Sequence, residues 1–218
     1  MNIILALPGN NFSGNFLDCY TDTLQFFGQK GWSYGVSRRE SSNVYHVRSM
    51  CLGADVLRGK TQTPFNGSVK YDWIMWIDSD IIWNPAQLEE LLKTDGDIVS
   101  GLYRMSNGTQ YTAVEEWDTT YFRKNGTFKF LTPDDLKLPK YSKPFDVSYV
   151  GMGFMAVKYG VFEKLDYPWF EAQSFDLGEG VYDFCSEDVG FCLKAIEAGY
   201  KVRVNPKIIV GHEKKLVI

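Results

Sequence analysis

Unbroken apolar runs alternate with helically spaced apolar positions along this chain, the rhythm of an α/β protein. Asn2–Leu7 reads as a short apolar strand, stopped at Pro8-Gly9-Asn10-Asn11, where Gly9 lets the backbone come close to a ligand. Phe16, Tyr20, Leu24 and Phe27, joined by Leu17 and Phe26, recur at helical spacing, and Gly28 or Gly31 ends that helix. Trp32–Ser37 predicts a second strand with Arg38-Arg39-Glu40 at its end. Strand, helix, strand in that order calls for a right-handed crossover and a parallel sheet. Ser41 or Ser42 then caps a helix with Val44, Val47, Met50, Cys51, Ala54 and Leu57 on one face and Arg48 off that stripe. These arginines read either as solvated charges or as contacts to a phosphate or base, because an arginine fork suits both. Thr61–Lys70 is a polar, turn-rich surface loop.

Tyr71–Ile82, YDWIMWIDSDII, is the stretch around which the rest is arranged. Trp73–Ile77 shows no alternation, as expected of a strand buried on both faces. Asp78 and Asp80 follow, with Ser79 between them. Carboxylates two residues apart in an extended chain point to opposite faces, so they approach one ligand only where the chain bends. Burying them unpaired is costly, so a divalent cation, an arginine or a lysine belongs beside them. Open α/β sheets bind ligands at such strand ends. The same acids also suit a plain loop start and turn cap, since Asn84-Pro85 follows as N-cap and first residue of a helix to about Thr94.

Asp97–Tyr103, DIVSGLY, predicts another buried strand. Gln110–Glu116, Tyr121–Arg123 and Thr127–Leu131 read as hairpin strands around Asn125-Gly126, a small antiparallel annex, and Thr132–Pro144 as a loop. Tyr149–Lys158 reads as one strand containing Gly151 and Gly153, glycines that mark close approach of a ligand or of backbone. Tyr159–Leu165 is a helical turn, and Gln173–Asp183 reads as a mobile loop and a lid. Ser186 caps a helix with Val189, Cys192, Leu193 and Ile196 on its apolar face, closed by Gly199. Glu187 and Asp188 fall in its first turn, where acids are ordinary helix chemistry. Tyr200–Asn205 and Lys207–Gly211 are the last strands, and His212 follows.

Composition narrows the function. The 218 residues, 44% hydrophobic, suffice for one large domain with a real core. A net charge of −4 and a pI near 5.3 argue against a broad nucleic-acid or anionic-membrane surface. No apolar stretch approaches the ~20 residues of a membrane span, and MNIILALPG lacks a basic n-region, so a cytoplasmic protein is expected. Cys19, Cys51, Cys185 and Cys192 show no C-x-x-C spacing and read as free thiols. Of the sequons at Asn11, Asn66, Asn107 and Asn125, three are Asn-Gly turn formers.

Taken in order, several pieces resemble the glycosyltransferases of the GT-A fold: the β-α-β start, an arginine after the second strand, and a hydrophobic strand into Asp78-Ser79-Asp80. Gly151-Met152-Gly153, Glu187-Asp188 at a helix start and a terminal His212 complete the set. The chain is also similar to the N-terminal glycosyltransferase domain of a large chlorella virus protein, which would place it in the host cytoplasm. The resemblance implies an α/β fold of the GT-A type, a mostly parallel central sheet flanked by helices with a small antiparallel annex. It implies one domain over 1–218, with a nucleotide-binding half over 1–105 and an acceptor-side half over 106–218. It implies transfer of a hexose, glucose or rhamnose in type, from a UDP-sugar to a glycan acceptor, with Mn²⁺ or Mg²⁺. Pro8, Asn10, Arg38 and Arg48 would line the uridine end, and Gly9 and Ser79 would also bind the donor. Asp78 would reach the ribose, and Gly151 and Gly153 would let the backbone approach the donor sugar. Asp80 and His212 would hold the metal, with Asp78 reaching it through water. Asp188, with Glu187 beside it, would be the base of an inverting reaction, although a helix N-terminus lowers a carboxylate's pKa and weakens it as a base.

Two other readings fit parts of the pattern. A Mg²⁺ phosphatase of the haloacid-dehalogenase type would use Asp78 as nucleophile, but prefers a Gly-Thr turn where Ile81-Ile82 stands. A carbohydrate-binding module would stack sugars on Trp117, Tyr121, Trp169 and Phe170. The close of the chain soon after His212 leaves room for further domains of a longer protein.

Overall fold

The computed structural model describes residues 1–214. The first half follows the apolar pattern closely. β1 (Asn2–Pro8), α1 (Gly14–Lys30) and β2 (Ser33–Arg39) form the expected crossover, with β1 and β2 parallel. Ser13 caps α1 by accepting from the Phe16 N–H, and Gly31 stops it in the left-handed region at φ 65°. After α2 (Val44–Cys51) come β3 (Trp73–Ile77), β4 (Ile81–Ile82), α3 (Pro85–Lys93) and β5 (Ile98–Leu102). Asn84 and Gln87 close a reciprocal capping box at the start of α3, with Pro85 inside it.

The second half contributes β6 (Ala113–Val114), α4 (Thr119–Asn125), β7 (Phe145–Val147), β8 (Tyr149–Val150), β9 (Phe154–Lys158) and α5 (Val161–Lys164). It ends with β10 (Ser174–Asp176), β11 (Tyr182–Phe184), α6 (Glu187–Glu197), β12 (Val202–Ile209) and β13 (Gly211–His212). The central sheet has seven strands in the order β2-β1-β3-β9-β5-β12-β7. β1, β2 and β3 pair in parallel, as do β5 and β12, while β9 lies antiparallel to both β3 and β5 and joins the two sets. β7 is an antiparallel edge on β12. The sheet is therefore mostly parallel, and β9 fills the gap left when the chain passes from β3 to β5.

β3 is buried along its whole length because helices and loops cover both faces of the sheet. Trp73, Met75 and Ile77 pack toward α1 and α3, against Phe16, Leu88 and Leu91. Ile74 and Trp76 pack toward the other face, against Phe162, Phe170 and Phe191. Alternate side chains of one apolar run thus feed two cores, which is why it shows no polar alternation.

Elsewhere local signals were overruled. Asn43, not Ser41 or Ser42, caps α2, which ends at Cys51. Its inward residues are Val47, Arg48 and Cys51, while Met50 is 40% exposed and Leu57, beyond the helix, 90%. Tyr121–Arg123 is not a hairpin strand but lies in α4, capped by Asp118 at one end and by left-handed Gly126 at the other. The annex shrinks to β6 paired with β8 and single bridges at Arg104–Tyr111 and Val114–Phe130. Tyr149–Lys158 is two strands, because Gly151-Met152-Gly153 turns the chain from the annex into the main sheet. Gln173–Asp183 holds most of a two-stranded hairpin, β10 against β11, anchored by buried Leu177. The two last strands are one, β12, whose register shifts between Val204 and Ile209, around Pro206. In α6, Val189, Phe191, Cys192 and Ala195 are buried, and Ile196 is on the exposed side. All four cysteines are free, Cys19 partly exposed and the others buried.

Gly190 in α6 has backbone where a side chain would be: an added Cβ would collide with the Glu171 carbonyl oxygen. Backbone gives way less easily than a side-chain tip, so Gly190→Ala is expected to lower stability by about 1–3 kcal/mol, as overpacking does. Urea denaturation of the variant beside the wild type measures it.

Candidate functional site

The chain bends directly after β3. The Asp78 N–H donates to the Gly153 carbonyl at 3.0 Å, and the Ile81 N–H closes a turn on the Asp78 carbonyl at 3.0 Å. This turn parts the two acids, which then meet different cations.

Asp80 meets the C-terminal end of the described chain. β4 pairs with β13, setting Ile81 opposite His212, and the Glu213 N–H donates to the Asp80 carbonyl at 2.7 Å. His212 Nε2 comes within 3.1 Å of Asp80 Oδ2, and Lys214 Nζ donates to the same oxygen at 2.7 Å. His212 Nδ1 lies 2.6 Å from the Arg104 carbonyl, which can only accept, so Nδ1 carries a proton and Nε2 is the nitrogen turned to Asp80. Burial alone would raise the Asp80 pKa, but the bonds from His212 and Lys214 reverse that and hold it at about 2. The bond to Asp80 raises the His212 pKa in turn, against burial.

Asp78 meets Arg48. The guanidinium donates from Nη1 and Nη2 to Oδ1 and Oδ2, each at 2.9 Å, and from Nε to Glu187 Oε1 at 2.9 Å. Arg48, expected off the apolar stripe and at the uridine end, is in fact 3% exposed, over the Trp76 ring. Burial would lower its pKa, and the two carboxylates more than reverse this. Glu187, expected beside Asp188 at the acceptor, is buried with its carboxylate turned to Arg48. Asp78, expected also among the metal residues, has both oxygens committed to the same fork. Among the described residues, no cation is bonded to Asp188. Its Oδ1 accepts from the Ser186 hydroxyl and from the Val189 N–H. Burial, then the Glu187 charge, raises its pKa despite the helix N-terminus. The expected lowering by the helix is therefore outweighed.

Residues expected at the uridine end gather at the ends of β1 and β2. Gly9 has φ 137°, its N–H donates to the Arg39 carbonyl at 2.9 Å, and a Cβ there would stand 3.0 Å from Ser79. Arg38 donates to the Gly9 carbonyl, and Asn10 to the Glu40 carboxylate. Pro8, Gly9, Arg48, Asp78, Ser79 and Asp80 line a cavity of about 270 Å³. Ser79 and Asp80 also wall a wider cleft of about 860 Å³ with Asn10, Phe12, Glu213 and Lys214.

Gly151 and Gly153 are explained from within the protein. A Cβ on either would run into the Tyr103 phenol, whose oxygen accepts the Gly153 N–H at 3.0 Å. Tyr103 also packs edge-on to His212, with ring centroids 5.0 Å apart. Beyond Asp188, a third cavity of about 230 Å³ is lined by Trp117, Phe128, Tyr149, Phe175, Phe184 and Ser186. Of the four aromatics expected to form a sugar platform, Trp117 lies here, while Trp169 and Phe170 are buried in the core. Sequence reasoning passed over Tyr103, Arg104 and Lys214. The first two follow a buried strand, as Asp78 does, so the strand-end rule would have found them.

Among the described residues, no group of three or more His, Cys, Asp or Glu side chains gathers to hold a metal ion. Asp80 and His212 are residue types that would suit a divalent cation: with Nδ1 protonated, loss of the Nε2 proton would leave that nitrogen's lone pair turned toward Asp80.

No protein-family model and no curated protein matches the sequence. Solved structures do match in fold. A197 from STIV superposes with a TM-score of 0.57 at 16% identity, over 99% of this chain and 87% of that one. GalNAc-T7, solved with UDP, GalNAc and Mn²⁺, gives 0.50 at 14% identity, over 99% of this chain and 44% of that one. The chain thus spans less than half the length of GalNAc-T7. These likenesses show a fold of the GT-A type and do not reach the chlorella virus domain. No helix among the described residues is long and apolar enough to cross a membrane.

The two acids predict different costs. Glu187→Ala leaves a buried Arg48 half-paired and is expected to lose about 3–5 kcal/mol of stability. Asp80→Ala, at a half-exposed carboxylate, is expected to change it by less than about 1 kcal/mol. Chemical denaturation of both variants makes the comparison.

Proposed function

We propose that this chain is a metal-dependent glycosyltransferase that moves a hexose, glucose or rhamnose in type, from a UDP-sugar to a hydroxyl of a glycan acceptor. The observation that carries the reading is the meeting of Asp80 and His212, distant in sequence, within 3.1 Å of each other at the strand ends of a fold of the GT-A type, and we read the pair as metal ligands. An oxygen ligand with a single imidazole suits Mn²⁺ or Mg²⁺, with Mn²⁺ favoured. When bound, such an ion neutralises charge on the diphosphate as a Lewis acid.

The chain's own residues do the rest. Pro8, Gly9, Asn10 and Arg38 line the side taken by uridine, and Ser79 stands between it and Asp80. Asp188 meets the acceptor hydroxyl, and Trp117 and Phe184, in the cavity that its neighbours Ser186 and Val189 help line, stack on a pyranose. The acceptor oxygen forms its bond to the anomeric carbon as the bond from that carbon to the β-phosphate oxygen breaks. UDP leaves with the electron pair, the acceptor proton passes to Asp188, and the sugar is inverted. The raised pKa of Asp188 supports this assignment, since a stronger base takes the proton more readily.

A phosphatase of the haloacid-dehalogenase type is disfavoured, because the nucleophile it needs, Asp78, is held by both oxygens in the Arg48 fork.

Calorimetric titration of UDP tests the reading. Binding is expected with Mn²⁺ and is expected to vanish with EDTA; Asp80→Ala and His212→Ala should each weaken it. UDP binding that ignores EDTA would remove the metal from the account. Asp188→Asn should bind UDP as the wild type does and transfer no sugar. The transfer rate should fall as acid protonates Asp188, at a pH above the ordinary aspartate range.

A further inference from the structure

Four carboxylates stand around the strand end: Asp78, Asp80, Glu187 and Asp188. Asp80 is served by His212 and Lys214. Of the other three, Asp78 and Glu187 share one cation. Arg48 comes from α2, Asp78 from the end of β3, and Glu187 from the start of α6, 30 and 139 residues from Arg48. Its three bonds, all at 2.9 Å, engage both Asp78 oxygens and Glu187 Oε1. The guanidinium lies 5.6 Å from the centroid of the Trp76 ring, so its plane is backed by core and not by solvent.

We propose that Arg48 is the positioning residue of this site: by tying Asp78 on the donor strand to Glu187 on the acceptor helix, it fixes the start of α6 and leaves Asp188 as the carboxylate presented to the acceptor hydroxyl. The inference rests on the glycosyltransferase reading above. It differs from a donor-contact role in that all three guanidinium nitrogens bond to carboxylates of the protein, Nη1 and Nη2 to Asp78 and Nε to Glu187, although Arg48 also lines the cavity beside Pro8 and Gly9. Lysine cannot replace this geometry, because a single ammonium on a flexible stem cannot hold a planar carboxylate by both oxygens and reach a second one.

The test compares Arg48→Lys and Glu187→Gln with the wild type. The readouts are far-UV circular dichroism and thermal melting, UDP affinity with Mn²⁺ by calorimetry, and kcat with KM for transfer. Arg48→Lys keeps the buried positive charge and is expected to fold. Its kcat should fall about 100-fold, the cost of misplacing a reacting group by about an ångström, with UDP affinity unchanged. Glu187→Gln keeps the side-chain volume, weakens the Nε bond, and should shift kcat in the same direction with UDP affinity again unchanged. It serves as the test if Arg48→Lys fails to fold. Loss of UDP affinity with kcat retained would make Arg48 a donor contact and overturn the proposal. A lower melting temperature with unchanged kcat per folded molecule would make it purely structural and overturn it equally. A wild-type chain that binds no UDP with Mn²⁺ overturns the glycosyltransferase reading itself, and this inference with it.

Discussion

Ending a strand that is buried on both faces with two acids sets an electrostatic constraint that the surrounding structure meets twice. Charged carboxylates at the edge of a core are stable only beside cations with good hydrogen-bond geometry. The turn from Asp78 to Ile81 separates the two acids, and each takes a different cation. Asp78 takes Arg48, which α2 delivers from beneath the sheet. Asp80 takes His212 and Lys214, which β13 delivers from the far end of the chain. Much of the topology serves these meetings. α2 packs on β1 and β2 with Arg48 inward, and β13 exists as a short strand only through its pairing with β4.

The same arrangement accounts for the chemistry of Asp188. Sequence alone gives a helix N-terminus, and that predicts a weak base. In the folded protein the helix start is buried and carries a second acid, Glu187, whose partner Arg48 is already shared with Asp78. One guanidinium cannot neutralise three carboxylates. Burial is the main cause of the raised pKa of Asp188, and the negative charge of Glu187 adds to it. Arg48 thus holds Asp78 and Glu187, and Asp188, outside that fork, is the acid whose pKa its surroundings raise.

What could be read from the chain follows from the range of the forces involved. β1, α1, β3 and α3 were legible because their signals are local: an apolar run, a cap, a left-handed glycine. Asp78 and Asp80 stood out for the same reason. The inward turn of Arg48 was not legible, since an arginine beside an apolar stripe is usually solvated and only its partners from β3 and α6 make burial tolerable. The annex misled because Tyr121–Arg123 carries β-favouring aromatics, while the Asp118 cap and Gly126 stop define a helix. Gly151 and Gly153 were legible as places of close approach, but the side chain that packs there was not. Tyr103, 50 residues away from Gly153, fills that space.

Tyr103 also shows how the two sides of the site depend on each other. Its hydroxyl accepts from Gly153, whose carbonyl accepts the Asp78 N–H, so the phenol braces the turn that parts the acids. Its ring packs against His212, so the same side chain limits where the imidazole can go. The next residue, Arg104, supplies the carbonyl that fixes the His212 proton on Nδ1. β5 therefore ends as β3 does, in residues that serve the site through their neighbours, and a bulkier residue at Gly153 would disturb Asp78 and His212 together. A site assembled this way needs few residues that touch a ligand, because most of its precision comes from side chains and carbonyls one contact further out.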